Sequence, residues 1–116
     1  MAVFASRQIV MPVLSIAVTI TGSGNADKCY ATINGTKQYS AGTHEVNAGD
    51  TITFGVFGSS SHNPGTVTID GTEVLRVSNK STKTYDWTVP NGISTVEIAM
   101  EYNSSSKSGK ITVTTA

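Results

Sequence analysis

From Leu14 onward, apolar and polar residues alternate. Leu14, Ile16, Val18 and Ile20 share one face, and Ser15, Ala17, Thr19 and Thr21 share the other. Side chains of a strand alternate with period two, so this pattern predicts a strand with one face in a core. Residues 22–25 (GSGN) end it, and residues 29–33 form a second strand turned by Asn34-Gly35. Asn-Gly accepts positive φ at both central positions, as a type I′ hairpin requires. The return runs through residues 36–39, residues 40–42 read as a break, and residues 43–46 as a short strand.

A turn at Asn47-Ala48-Gly49-Asp50 leads into residues 51–57, where Ile52, Phe54 and Val56 face one way. Residues 58–65 (GSSSHNPG) are the strongest loop signal in the chain. Residues 66–69 and 73–77 form a hairpin around Asp70-Gly71, and residues 78–82 read as a polar link. In the next strand, residues 83–89, the alternation points Tyr85, Trp87 and Val89 inward and predicts a Trp87 buried between sheets. The last pair is residues 95–102, with Val96, Ile98 and Met100 inward, and residues 110–115, joined by a Ser-rich loop. Eight to ten short strands with one-sided patterning predict an all-β fold, an antiparallel β-sandwich, with a small closed barrel as the alternative architecture. The near-repeat of Thr32-Ile33-Asn34-Gly35-Thr36 in Thr68-Ile69-Asp70-Gly71-Thr72 reads as one favourable hairpin reached twice.

Composition supports this. The 116 residues hold 21 Val plus Ile against two Leu, and 31 Ser plus Thr. β-branched residues suit pleated, half-buried strands better than helices. Eight Lys and Arg balance eight Asp and Glu, so the surplus of cations that nucleic-acid binding needs is missing. Arg7 followed by the apolar run of residues 9–20 has the outline of a signal peptide, but Pro12 interrupts the run and no A-x-A-like cleavage site follows. The run is also too short to span a bilayer as a helix. The chain therefore divides into an arm, residues 1–13, and a sandwich, residues 14–116. The arm shows no sustained alternation, and its Val3, Phe4, Arg7, Ile9, Val10 and Met11 are the candidate partner-docking residues. Exposed apolar surface of this kind calls for a cover, here a neighbouring subunit; the alternative is an extra edge strand folded back on its own domain.

Candidate chemistry is sparse. His62 follows Gly49-Asp50-Thr51-Ile52-Thr53-Phe54 much as the first copper-ligating histidine does in cupredoxins, yet nothing after it is Cys or His. No metal, cofactor or catalytic residue is assigned, and an enzyme is not expected. Cys29 is alone, so no intramolecular disulfide forms. Asp50 and Asp70 are explained by turn chemistry.

The segments Y-A-T-I-N-G-T-K, V-N-A-G-D-T-I-T-F and V-T-I-D-G-T-E-V, taken together, resemble the small immunoglobulin-like domains of tailed-bacteriophage virion proteins. The resemblance covers roughly residues 14–115. It implies an immunoglobulin-like sandwich and a non-enzymatic structural role, decorating or stabilising a capsid or tail. The implied partners are a major capsid or tail protein and copies of the chain itself, with the virion as location and neither nucleic acid nor membrane involved. The alternative is a secreted or surface immunoglobulin-like module for adhesion or carbohydrate binding, with host-surface glycans as partners.

Overall fold

A computed structural model describes residues 15–116; the arm, with its six candidate docking residues and the boundary at Leu14, lies outside the described residues. The described residues form ten strands, β1 (Ile16–Ser23), β2 (Cys29–Ile33), β3 (Thr36–Gln38), β4 (Ser40–Val46), β5 (Thr51–Gly58), β6 (Gly65–Ile69), β7 (Thr72–Val77), β8 (Ser81–Thr88), β9 (Thr95–Tyr102) and β10 (Gly109–Thr115). They form a sandwich of a six-stranded sheet, β4-β1-β9-β10-β6-β7, and a four-stranded sheet, β3-β2-β5-β8. Six neighbouring pairs are antiparallel, and three of them, β2–β3, β6–β7 and β9–β10, are consecutive strands joined by short connections. Two pairs, β1 with β9 and β10 with β6, run parallel. Parallel neighbours cannot be joined by a tight turn, so local turn signals do not reveal them.

The alternating positions meet in one core. Val18, Val96, Ile98, Ile111 and Val113 from the larger sheet face Ala31, Ile52, Phe54 and Val56 from the smaller. None of the described polar or charged residues is buried, so the interior is held by apolar burial and dispersion, with its polar backbone groups paired in the ladders.

Three readings change. Trp87 is half-buried rather than enclosed. It packs against the core beside Phe54, ring centroids 6.2 Å apart, but β8 is the last strand of its sheet and leaves one flank of the indole open. Residues 40–42 are no break: β4 begins at Ser40 and pairs with β1, Gly42 opposite Ile20. This edge strand is mostly exposed, so it carries no apolar alternation to announce it. Residues 81 and 82 likewise belong to β8 and pair with Gly58 and Phe57.

The outer face of the smaller sheet places two aromatics that patterning left open. Tyr30 stands opposite Gly55, and a Cβ at Gly55 would run into the Tyr30 ring. The absent side chain is what lets that ring lie flat on the sheet. The Lys37 ammonium sits 4.4 Å above the Tyr30 ring, and that of Lys28 4.5 Å above Phe57. Both cations shield apolar surface with their stems while keeping the charge in water.

Candidate functional site

An open groove of about 820 Å³ lies on the outer face of the larger sheet, at one end. Its floor is a cross-strand row. Glu101 on β9 stands opposite Lys110 on β10, Lys110 beside Thr66 on β6, and Thr66 opposite Arg76 on β7. Thr68 and Glu73, a pair in the same β6–β7 ladder, extend the floor. Period-two alternation puts Glu101, Lys110, Thr66, Thr68 and Arg76 outside for the reason it puts Met100, Ile111, Val67 and Val77 inside, while Glu73, three residues before Arg76, reaches the same face through the register shift between Val67 and Thr68.

The two polar loops form the walls. The β5–β6 loop contributes His62, Asn63 and Pro64, and the β9–β10 loop contributes Asn103, Ser104 and Ser108, with Tyr102 at its base. Each loop is tied internally. The Ser60 hydroxyl accepts from the backbone N–H groups of His62 and Asn63, at 3.3 and 3.2 Å. The Asn103 Oδ1 accepts from those of Ser105 and Ser106, at 2.9 and 3.2 Å. The Ser106 and Ser108 hydroxyls share a 2.7 Å hydrogen bond.

Charge on the floor is paired. Arg76 Nε donates to Glu73 Oε2 at 3.1 Å, and Lys110 Nζ lies 3.9 Å from Glu101 Oε2. All four side chains remain substantially exposed, so these pairs add little stability and leave their polar atoms within reach of a ligand. Both loops were legible in the sequence. Their meeting on one sheet face was not, since it depends on the parallel β10–β6 pairing.

The other residues singled out by sequence fall elsewhere. His44 lies on the edge strand β4, remote in register from His62. Among the described residues, no three His, Cys, Asp or Glu side chains come close enough to hold a metal ion. Asp50 accepts from the Asn47 backbone N–H at 2.9 Å and closes the turn into β5.

Cys29 is fully buried on β2. Burial pushes its thiol up to about 11, against a smaller opposing effect of backbone hydrogen bonds at Lys110 and Glu101. The thiolate is the reactive form, so Cys29 is expected to resist a thiol reagent in the native protein and to react at once in denaturant. Complete labelling of native protein within the mixing time would contradict this placement.

The repeated hairpin motif has a second use. Asn34 and Asp70 both have positive φ, 51° and 48°, each followed by a positive-φ glycine, as type I′ turns require. Each side chain then reaches another strand. Asn34 Nδ2 donates to the Glu45 carbonyl at 3.0 Å. The Asp70 carboxylate accepts from the Thr115 backbone N–H at 2.8 Å and its hydroxyl at 2.7 Å.

The Thr115 hydroxyl, then its N–H, holds the Asp70 carboxyl below its ordinary value of 3.8. A carboxylate with a depressed folded pKa contributes stability above its unfolded pKa, and the contribution is lost as pH falls through the folded one. Asp70→Ala is therefore expected to lower stability at neutral pH. The gap from the unchanged protein should narrow below pH 3.8, leaving the pH-independent cost of alanine at a positive φ. Denaturant midpoints measured across that range check it, and a gap independent of pH would refute the ionic clamp.

No known protein family, curated protein or solved structure matches this chain.

Proposed function

We propose that this chain is a non-enzymatic structural protein of a tailed-bacteriophage virion, an immunoglobulin-like sandwich that decorates or stabilises the capsid or tail through subunit contacts. The observation that carries this reading is where the three resembling segments fall. Residues 30–37 make the β2–β3 hairpin, residues 46–54 the corner from β4 into β5, and residues 67–74 the β6–β7 hairpin. The resembling segments thus fall on two hairpins, one in each sheet, and on one crossing between the sheets. Among the described residues, β4 and β7 are the edges of the larger sheet, and an edge strand can take up contacts with a lattice neighbour through its backbone.

Mass spectrometry of purified particles, with electron microscopy to place the chain, tests the reading. A fixed ratio to the capsid or tail protein is expected, and absence from particles whose genome encodes the chain defeats it. The docking role falls to Val3, Phe4, Arg7, Ile9, Val10 and Met11, whose apolar members are worth ~1.5–3 kcal/mol each when fully covered. Deleting residues 1–13 is expected to leave the sandwich folded and abolish particle binding. Undiminished incorporation of the shortened chain would remove the arm from the proposal.

The groove supports a second reading, a secreted or surface adhesion module. Its open form and polar walls suit a polar ligand held at the surface rather than an enclosed apolar one.

A further inference from the structure

We infer that the groove between the β5–β6 and β9–β10 loops is a binding site for a neutral oligosaccharide. The inference rests on the adhesion reading and gives it a site and a ligand class.

The argument begins with the order of charges along the floor. Glu101, Lys110, Thr66 and Arg76 succeed one another across four strands, with Glu73 against Arg76. Two carboxylates and two cations cancel. A polyanion would meet a carboxylate beside each cation, with no surplus of positive charge to hold it. A metal ion lacks the clustered ligands. An apolar peptide would find little to bury, because Pro64 and Tyr102 are the largely non-polar side chains of the lining.

A sugar fits what remains. Each hydroxyl both donates and accepts, so a chain of hydroxyls is satisfied best where donors and acceptors interleave. Glu73 and Glu101 accept, Arg76 and Lys110 donate, and the amide of Asn63 can do both. Asn103 spends its oxygen on the backbone of its own loop, which leaves its Nδ2 to donate. Tyr102 adds an aromatic body with a polar tip at the base of one wall. Strands lie ~4.8 Å apart, so the four-strand row spans roughly 14 Å, the reach of a short oligosaccharide rather than a single ring. The hydrogen bonds within both loops fix the walls before a ligand arrives, which lowers the ordering cost of binding.

Amide-resolved NMR titration of the full chain tests the site. The probes are maltohexaose, chitohexaose and mannohexaose at millimolar concentration, with a heparin hexasaccharide as the charged comparison. At least one neutral probe is expected to shift the amides of Arg76, Tyr102 and Lys110. Arg76→Ala combined with Lys110→Ala should weaken it about tenfold or more, while Lys83→Ala on the other sheet should leave binding unchanged. Retained dispersion of the spectrum establishes that each variant is folded. A neutral probe that binds the double variant equally well, or shifts the smaller sheet instead, overturns the site and leaves the adhesion reading standing. Heparin binding alone overturns the ligand class. No binding by any probe overturns the site, and the particle test of the structural reading is unaffected.

Discussion

Replacing Phe54 with Ala is expected to remove about 3–5 kcal/mol of stability, the range for emptying a buried aromatic site. Phe54 is wholly buried in the middle of β5. It has Ala31 on one side in register and Tyr85 on the other, and the sheet above it holds Ile98 and Val113 in the same core. A small domain has only about 5–15 kcal/mol in total, so much of the population would unfold in mild denaturant. Trp87→Ala, at a half-exposed position on the terminal strand, should cost roughly half as much. The order of the two is informative, because the alternation in β8 alone makes Trp87 look like the keystone. Denaturant unfolding measures both: intrinsic tryptophan emission reports Phe54→Ala, since Trp87 is the only tryptophan, and far-ultraviolet circular dichroism reports Trp87→Ala. A loss below about 1 kcal/mol for Phe54→Ala would mean the two sheets do not close over it.

The contrast between these aromatics shows what the sequence can and cannot carry. Alternation identifies which face of a strand is apolar, and Ile16, Val18, Ile52, Phe54, Ile98 and Ile111 are all found in the core. It carries no information on whether the strand has a neighbour on each side, and that decides how deeply a residue such as Trp87 is covered. Strand β4 fails in the opposite sense. It has backbone partners but almost no buried side chain, so Ser40-Ala41-Gly42 looks like a break. The candidate groove combines both limits. Its loops announce themselves through Pro64 and runs of Ser, whereas its floor of Glu101, Lys110, Thr66 and Arg76 exists only through pairings between strands far apart in sequence. The four floor residues look like ordinary solvated positions until register aligns them.

Register also sets the second large effect. Gly22→Ala is expected to destabilise the fold by on the order of 2–4 kcal/mol, from backbone strain together with a backbone clash. Residues 22–25 carry turn chemistry, yet β1 continues through them to Ser23, with its register against β4 shifted between Ile20 and Ser23. Such a bulge re-aims a strand locally, and here Gly22 takes a φ of 78°, where a side chain crowds its own backbone. The space is closed as well. A Cβ on Gly22 would overlap the Met100 carbonyl oxygen, which belongs to the parallel partner strand β9, and a backbone atom cannot swing aside as a side-chain tip can. To accept alanine, β1 and β9 must separate at the level of Met100, which is fully in the core, and of Glu101, which stands opposite Ser23 and begins the groove floor. The substitution should therefore lower the denaturant midpoint and also move the Glu101 and Lys110 amide resonances, while those of the Asn47–Asp50 turn, beyond the opposite end of β1, stay in place. A midpoint and spectrum indistinguishable from the unchanged protein would show that β1 does not follow β9 through Gly22 and that the edge of the groove is set some other way.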